Sequence, residues 1–209
     1  MIKPFDNISK KNLNKLFKKL NVDNLYFEEN KYIPKNIIDN KTIGIILNGY
    51  IQVIRTNYNG NDIVVEELYE NDIFSSSSLF IDSNEYELHV KEKINIILID
   101  ENLLLNFEDN SKSYYNQFIK NLYQILNDKM KLKNERIRII TKKSIRDKLL
   151  EYFYISRKKT GSTNIYLPYN YSALSDYLGV NRSALMREIK NLKTEGFIET
   201  KGKKIKLLY

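Results

Sequence analysis

The order of apolar and polar residues divides the chain into a half rich in short strands and a half rich in helices. Residues 8–21 carry leucine and phenylalanine at helical spacing, which predicts a short amphipathic helix. From about residue 24 to 100, β-rich runs such as KTIGIILNG, YIQVIRTN and INIILID recur at roughly ten-residue intervals, and we expect the Asn-Gly pairs at 48–49 and 59–60 to separate them. This pattern predicts an antiparallel sandwich or barrel, with its clearest hairpin at TNYNGND.

A long stretch over residues 112–140 contains neither glycine nor proline, which predicts one helix of nearly thirty residues. Its apolar face is wide enough for two stripes, so one stripe can pack on the chain's own sheet and the other on a second copy. We predict that the stripe with a spacing near 3.5 residues forms a dimer seam, and one helix buried within a monomer is the alternative. The predicted seam consists of Phe118, Leu122, Ile125 and Leu132.

The last forty residues carry the signals of a helix-turn-helix followed by a β-hairpin. A short helix is predicted to end at Gly179, because glycine suits the left-handed position that follows a helix. Asn181 is a good N-cap for a second helix, whose buried side is formed by leucine and isoleucine. The segment after it reads as a two-stranded wing with a turn at Lys201-Gly202.

Charged residues are unevenly divided between the two halves of the chain. Residues 1–110 hold 12 basic and 18 acidic side chains, whereas residues 111–209 hold 22 basic and 8 acidic ones. An acidic half joined to a strongly basic half indicates two domains with different partners, and a basic domain most often binds nucleic acid. A lysine-rich face that is merely solvated is the alternative.

Composition excludes much enzyme chemistry. Cysteine is absent, which rules out disulfides, cysteine-ligated iron–sulfur clusters and thiolate metal sites, and His89 is the single histidine. We therefore expect neither an enzyme nor a metal site. The chain has no run of eighteen apolar residues and no recognisable signal peptide, so we expect a cytoplasmic protein without a membrane span.

The second helix of the predicted helix-turn-helix presents polar and basic residues on its exposed side. Its N-terminal side chains are expected to meet base edges in the major groove, where an arginine fork matches guanine O6 and N7. Lys190, Lys201 and Lys203 suit phosphates. An ordinary three-helix subdomain with a solvated basic face is the alternative.

The segment LSDYLGVNRSALMREIKNLKTEGFI resembles the recognition segment of the Crp/Fnr family of bacterial transcription regulators, and the resemblance extends over essentially the whole chain. It implies an α+β protein with a β-roll sensor domain, similar to the cyclic-nucleotide-binding jelly roll, at residues 1–110. A dimerisation helix at 111–140 and a winged helix-turn-helix at 141–209 would follow. It places Arg182, Ser183 and Arg187 at the base-reading positions, and it places the following residues at or near the DNA backbone: Tyr171, Ser172, Asn181, Lys201 and Lys203.

The sensor domain departs from the family's cyclic-nucleotide cassette. Ser76 replaces the glutamate that would hold the ribose, and Tyr86 and Glu87 replace the arginine and serine that would hold the cyclic phosphate. A phosphate beside Glu87 would be repelled, so we expect no binding of cyclic AMP or cyclic GMP. The lack of cysteine also makes an iron–sulfur cluster and a thiolate-ligated haem unexpected.

Two features of this domain remain open. The serine run Ser75, Ser76, Ser77 and Ser78, together with Tyr86 and Glu87, could line a small-molecule pocket, or the run could be only a turn. His89 could ligate haem or a metal, or it could be an ordinary strand residue, which a single histidine favours.

The sequence therefore predicts a homodimeric, sequence-specific regulator that binds an inverted repeat in double-stranded DNA and has RNA polymerase as a further partner. Its signal would be something other than a cyclic nucleotide. A constitutive DNA-binding protein with a vestigial sensor is the main alternative. A cupin-like enzyme with a DNA-binding tail is a weaker one, since cupin metal sites need several histidines.

Overall fold

The computed structural model describes residues 3–37, 41–56, 60, 62–75, 86–107, 110–167 and 170–209. The chain forms two compact units, Met1–Asp128 and Lys129–Tyr209. Among the described residues, no helix is both long and apolar enough to cross a membrane.

An antiparallel sheet dominates the first unit, and a short helix precedes it. The strands follow the order β1-β6-β3-β4, with β2 added to β6 and β5 added to β3. A 3₁₀ turn at Lys35–Ile37 connects β2 with β3. The elements are α1 (Lys10–Lys19), β1 (Asp23–Phe27), β2 (Tyr32–Ile33), β3 (Thr42–Thr56), β4 (Asp62–Tyr69), β5 (Ile73–Ser75), β6 (Tyr86–Asp100) and α2 (Glu101–Leu105).

The second unit is helical, with a small three-stranded sheet in the order β7-β9-β8. The long helix α3 begins in the first unit and ends in the second. These elements are α3 (Ser113–Ile140), α4 (Ile145–Thr160), β7 (Asn164–Tyr166), α5 (Tyr171–Leu178), α6 (Arg182–Thr194), β8 (Ile198–Lys201) and β9 (Lys204–Leu207). The sheet, the long helix and the C-terminal winged helix-turn-helix confirm the predicted α+β architecture.

Two strands of fifteen residues, β3 and β6, form the centre of the first sheet. The prediction that the Asn-Gly pair at 48–49 ends a strand is therefore wrong. Gly49 has a positive φ of 89°, and the β3–β6 register shifts between Ile46 and Asn48 and between Asn48 and Tyr50, so the pair forms a bulge inside β3. A Cβ on Gly49 would lie 2.5 Å from the carbonyl oxygen of Lys93 on β6. The predicted hairpin at TNYNGND is confirmed as the antiparallel pair β3–β4, although much of its connection lies outside the described residues.

The predicted dimer seam on the long helix needs a correction. Phe118, Leu122 and Ile125 are 0%, 7% and 8% exposed in the single chain, because they pack into the first unit's core with apolar residues of α1 and the sheet. A side chain that is already buried cannot form the seam with a second copy. Leu132 lies on the same side of α3, two turns beyond Ile125, and is exposed. The helical period revealed both stripes, and it did not show which of them the sheet covers.

Apolar side chains from all its helices and strands form the core of the second unit. Leu149 and Phe153 of α4 meet Leu174 of α5, Leu185 of α6 and Ile205 of β9. Helix α4 begins after Ser144, whose hydroxyl accepts a hydrogen bond from the Asp147 amide, and it ends at Gly161 with a φ of 66°. This core fixes the two helices of the helix-turn-helix against α4.

Candidate nucleic-acid interface

The turn between α5 and α6 has the local structure that the sequence predicts. Gly179 ends α5 with a φ of 62° and a ψ of 49°, and the Val180 amide donates to the Ser175 carbonyl. The Asn181 side-chain oxygen then accepts from the Ser183 amide at 2.9 Å and, at 3.4 Å, from the Ala184 amide. Asn181 is thus the N-cap of α6, which agrees with its predicted structural role.

Helix α6 has two distinct faces. Leu185, Ile189 and Leu192 are buried in the core of the second unit. The opposite face is exposed and carries two guanidinium groups near the start of the helix. Neither Arg182 nor Arg187 forms a salt bridge with any of the described residues. This exposed face consists of Arg182, Ser183, Met186, Arg187 and Lys190.

The wing lies in the three-stranded sheet. Lys201 pairs with Lys204 across a two-residue turn, and Gly202 in that turn has a φ of 59°. Lys201 and Lys203 are exposed, which leaves their ammonium groups accessible to an anion. Lys204 lies over the ring of Tyr166, with Nζ 5.6 Å from the ring centroid.

Tyr171, which is expected at or near the DNA backbone, has a hydrogen-bond partner within its own domain. Its hydroxyl donates to the Gly202 carbonyl at 3.1 Å, and its ring is half-buried against the core. Burial raises the pKa of this phenol, which therefore stays protonated. In this conformation the single hydroxyl proton of Tyr171 is donated within the domain, where it positions the wing tip. Its neighbour Ser172 is half-buried, and its main-chain carbonyl accepts from Ser175 Oγ at 2.6 Å.

No residue of α4 was expected at the interface from the sequence. However, an arginine and a lysine of α4 contact both helices of the helix-turn-helix. Arg146 pairs with Glu188 of α6 at 2.7 Å and also with Glu195 at the end of α6. Lys148 donates to the Leu178 carbonyl at the end of α5, at 3.2 Å. The sequence shows these opposite charges, and only the fold shows which of them meet.

The candidate effector residues are only partly described. Ser76, Ser77 and Ser78 lie outside the described residues. Ser75 is the last residue of β5 and pairs with Ile43 of β3, whereas Tyr86 begins β6 and pairs with Arg55. The Arg55 guanidinium lies 6.0 Å from the centroid of the Tyr86 ring, and Glu87 is exposed. Arg55 is thus a cation beside one of these positions, and its contact with Tyr86 was not expected from the sequence.

His89 lies near the start of β6, where its ring stacks on that of Tyr32 with a centroid separation of 4.6 Å and an interplanar angle of 12°. Within the described ranges, no group of three or more histidine, aspartate or glutamate side chains could hold a metal ion. The geometry is that of a cross-strand aromatic pair on a half-buried position.

Comparisons with known proteins agree with this architecture. Residues 147–209 match the Crp-like helix-turn-helix domain. No curated protein sequence matches the chain. Solved structures with the same fold include CprK complexed with OCPA, at 14% identity and a TM-score of 0.65 over 96% of this chain and 92% of that chain.

Two further structures are similar over nearly the whole chain. A CooA mutant from Carboxydothermus hydrogenoformans is 16% identical, with a TM-score of 0.59 over 99% of this chain and 93% of that chain. The c-di-GMP responsive regulator CLP of Xanthomonas campestris is 14% identical, with a TM-score of 0.52 over 93% and 97% of the two chains. Residues 147–209 therefore match a Crp-like helix-turn-helix domain, and the chain shares its fold with the CprK, CooA and CLP structures.

Proposed function

We propose that this chain is a homodimeric transcription regulator that binds an inverted repeat in double-stranded DNA sequence-specifically. The observation that carries the proposal is helix α6, which buries one face in the domain core and exposes Arg182, Ser183 and Arg187 on the other. Exposed arginines near the start of a second helix suit contacts with base edges in a major groove.

The proposed contacts divide into two classes. Arg182 and Arg187 each offer a fork of donors that fits O6 and N7 of guanine, and Ser183 between them reads a neighbouring base. Contacts with phosphates give affinity and register and do not distinguish bases. For these we propose the exposed lysines of α6 and the wing together with two polar groups near the helix starts, namely Lys190, Lys201, Lys203, Ser172 and Asn181.

The proposed dimer contact is formed by the exposed stripe of α3 and not by the buried one. Tyr123, Leu126, Met130 and Ile137 are between 45% and 68% exposed, and their spacing of three, four and seven residues is that of a coiled-coil seam. Lys133 occupies the remaining position of this repeat and is exposed. Pairing of two such helices would bury an apolar surface that a single chain leaves in water.

The sensor is proposed to respond to a signal other than a cyclic nucleotide, because Tyr86 and Glu87 stand where the resemblance requires an arginine and a serine. The similar structures differ in their ligands, since CprK is complexed with OCPA and CLP is c-di-GMP responsive. A signal would act by shifting a population between two arrangements. A constitutive regulator with a vestigial sensor is the second candidate, favoured by the altered cassette. RNA polymerase is a proposed partner of either form.

Selection of DNA from a random-sequence pool tests the proposal. The purified full-length chain should enrich an inverted repeat whose half-sites lie about 34 Å apart, one helical turn of DNA. Enrichment without any added small molecule would favour the constitutive candidate. Recovery of no common sequence, with binding that disappears as salt rises, would contradict sequence-specific recognition.

A further inference from the structure

A charge cluster in the second unit joins α4 to α6. Arg146, in the first turn of α4, donates from Nε to Glu188 Oε1 at 2.7 Å and from a terminal nitrogen to Glu195 Oε1. The second oxygen of Glu188 accepts from Asn191 at 3.2 Å. One planar guanidinium thus joins the carboxylates of two residues whose main-chain positions are seven residues, or about 10 Å of helix, apart.

The negative charge of Glu188 by itself is unfavourable for DNA binding. It follows Arg187 directly, and its negative charge on a DNA-binding helix repels phosphates. Its side chain is only 18% exposed and points to Arg146, so the charge is neutralised within the protein. The guanidinium also lowers the pKa of Glu195, which keeps that carboxylate ionised.

We propose that Arg146 is a positioning residue for DNA recognition, which holds α6 at Glu188 and Glu195 and thereby sets the direction in which Arg182 and Arg187 leave the protein. Two points of attachment along α6 fix both its rotation about its own axis and its tilt against α4. Charge-assisted hydrogen bonds from one planar guanidinium to both carboxylates add a directional constraint that apolar contacts lack. The inference rests on the proposed sequence-specific binding and deepens it.

A positioning role predicts a change in DNA affinity that neither the loss of a charge nor a loss of folding alone would produce. Glu188→Gln keeps the shape of the side chain and removes a negative charge, so electrostatics alone would tighten binding to every DNA sequence. Loss of positioning instead weakens binding to the selected sequence only. Weaker binding to the selected sequence, without weaker binding to other DNA, therefore indicates lost positioning, whereas tighter binding to all DNA indicates electrostatics alone.

The test uses fluorescence anisotropy of the full chain on the selected inverted repeat and on a scrambled duplex of equal length. Glu188→Gln is expected to lower the ratio of the two affinities by about 5-fold, with affinity for the scrambled duplex unchanged or higher. Arg146→Gln should lower the ratio by a similar factor. The double variant should be no worse than Arg146→Gln alone, because that substitution already removes the contact with Glu188.

Arg157→Gln is the matched control, since Arg157 is an exposed arginine of the same helix whose guanidinium binds only the Tyr209 carbonyl among the described contacts. It should weaken binding to both duplexes equally and leave the ratio unchanged. Circular dichroism establishes that each variant is folded, and if Arg146→Gln is unstable, the isosteric Glu188→Gln decides alone.

Failure of the positioning role and failure of the proposed function give different results in this experiment. If the wild-type chain discriminates between the duplexes and Glu188→Gln discriminates equally well, the positioning role is wrong and the proposed function stands. The same holds if the losses of the two single variants multiply. If the wild-type chain itself does not discriminate, the proposed function fails and the positioning role fails with it.

Discussion

The hydroxyl of Tyr171 donates a hydrogen bond of 3.1 Å to the main-chain carbonyl of Gly202, so the first residue of α5 holds the tip of the wing. The Leu167 amide donates to the adjacent Lys203 carbonyl at 2.9 Å. The two contacts tie both residues of the turn to the segment that leads into α5. The wing lysines are therefore held in a defined place relative to the helix-turn-helix.

Tyr171→Phe is expected to loosen this tip and to lower affinity for selected and scrambled DNA by the same factor, roughly 2- to 5-fold, the value of one hydrogen bond. The reason is that the wing lysines are proposed to contact phosphates, and phosphate contacts carry no sequence information. Anisotropy titrations measure both affinities. Tyr166→Phe is the control, because its ring is 69% exposed on the same small sheet, and it should change neither affinity. A loss confined to the selected sequence would contradict this role.

Asn181→Ala is expected to destabilise the second unit by about 1 kcal/mol, since the amides of Ser183 and Ala184 lose their capping acceptor. Urea unfolding followed by circular dichroism measures the change. Asn181→Ser should recover most of the loss, because serine is an equally good N-cap. Equal stability of the alanine variant and the wild type would mean that this cap contributes nothing.

Met130→Glu is expected to convert the proposed dimer to a folded monomer, because it places a charge on the exposed stripe of α3. Light scattering coupled to size-exclusion chromatography reports the mass. Ile125→Val on the buried stripe is the matched change. It should cost about 1 kcal/mol of stability and leave the dimer intact. A dimer that survives Met130→Glu and dissociates with Ile125→Val would restore the seam that the sequence predicted.

The first unit should lose stability in acid through Glu67. Its carboxylate accepts hydrogen bonds from Tyr50, Tyr69 and Gln52, and the bond from Tyr50 is the main cause of its lowered pKa. A pKa that is lower in the folded than in the unfolded state stabilises the fold above the unfolded-state pKa, about 4.3 for glutamate. This stabilisation is lost as the pH falls through the folded-state value.

Urea unfolding between pH 7 and pH 3 tests this expectation. Glu67→Gln should reduce the loss of stability over the acidic part of that range. Glu29→Gln, an exposed glutamate outside the cluster, should leave the acid dependence as in the wild type. Identical acid dependence in Glu67→Gln and the wild type would show that the tyrosine hydrogen bonds do not act on this carboxylate.

The helix-turn-helix could be predicted closely because its signals are local. Gly179 and Asn181 determine the end of one helix and the start of the next through contacts within a few residues. The bulge at Gly49 could not be predicted, because it depends on the approach of Lys93 from a strand more than forty residues away. Arg146 and Glu188 likewise meet only after the second unit has folded, so the sequence alone showed their charges and not their contact.

The most direct test of sequence-specific recognition compares Arg187→Ala with Lys203→Ala on the selected inverted repeat and on a scrambled duplex at two salt concentrations. Arg187→Ala should weaken binding to the inverted repeat by about 5- to 150-fold and bring it close to that of the scrambled duplex. Lys203→Ala should weaken both alike and lower the slope of log affinity against log salt by about 1. Equal losses on the two duplexes for Arg187→Ala would contradict its role in reading bases and, with it, the proposed recognition by α6.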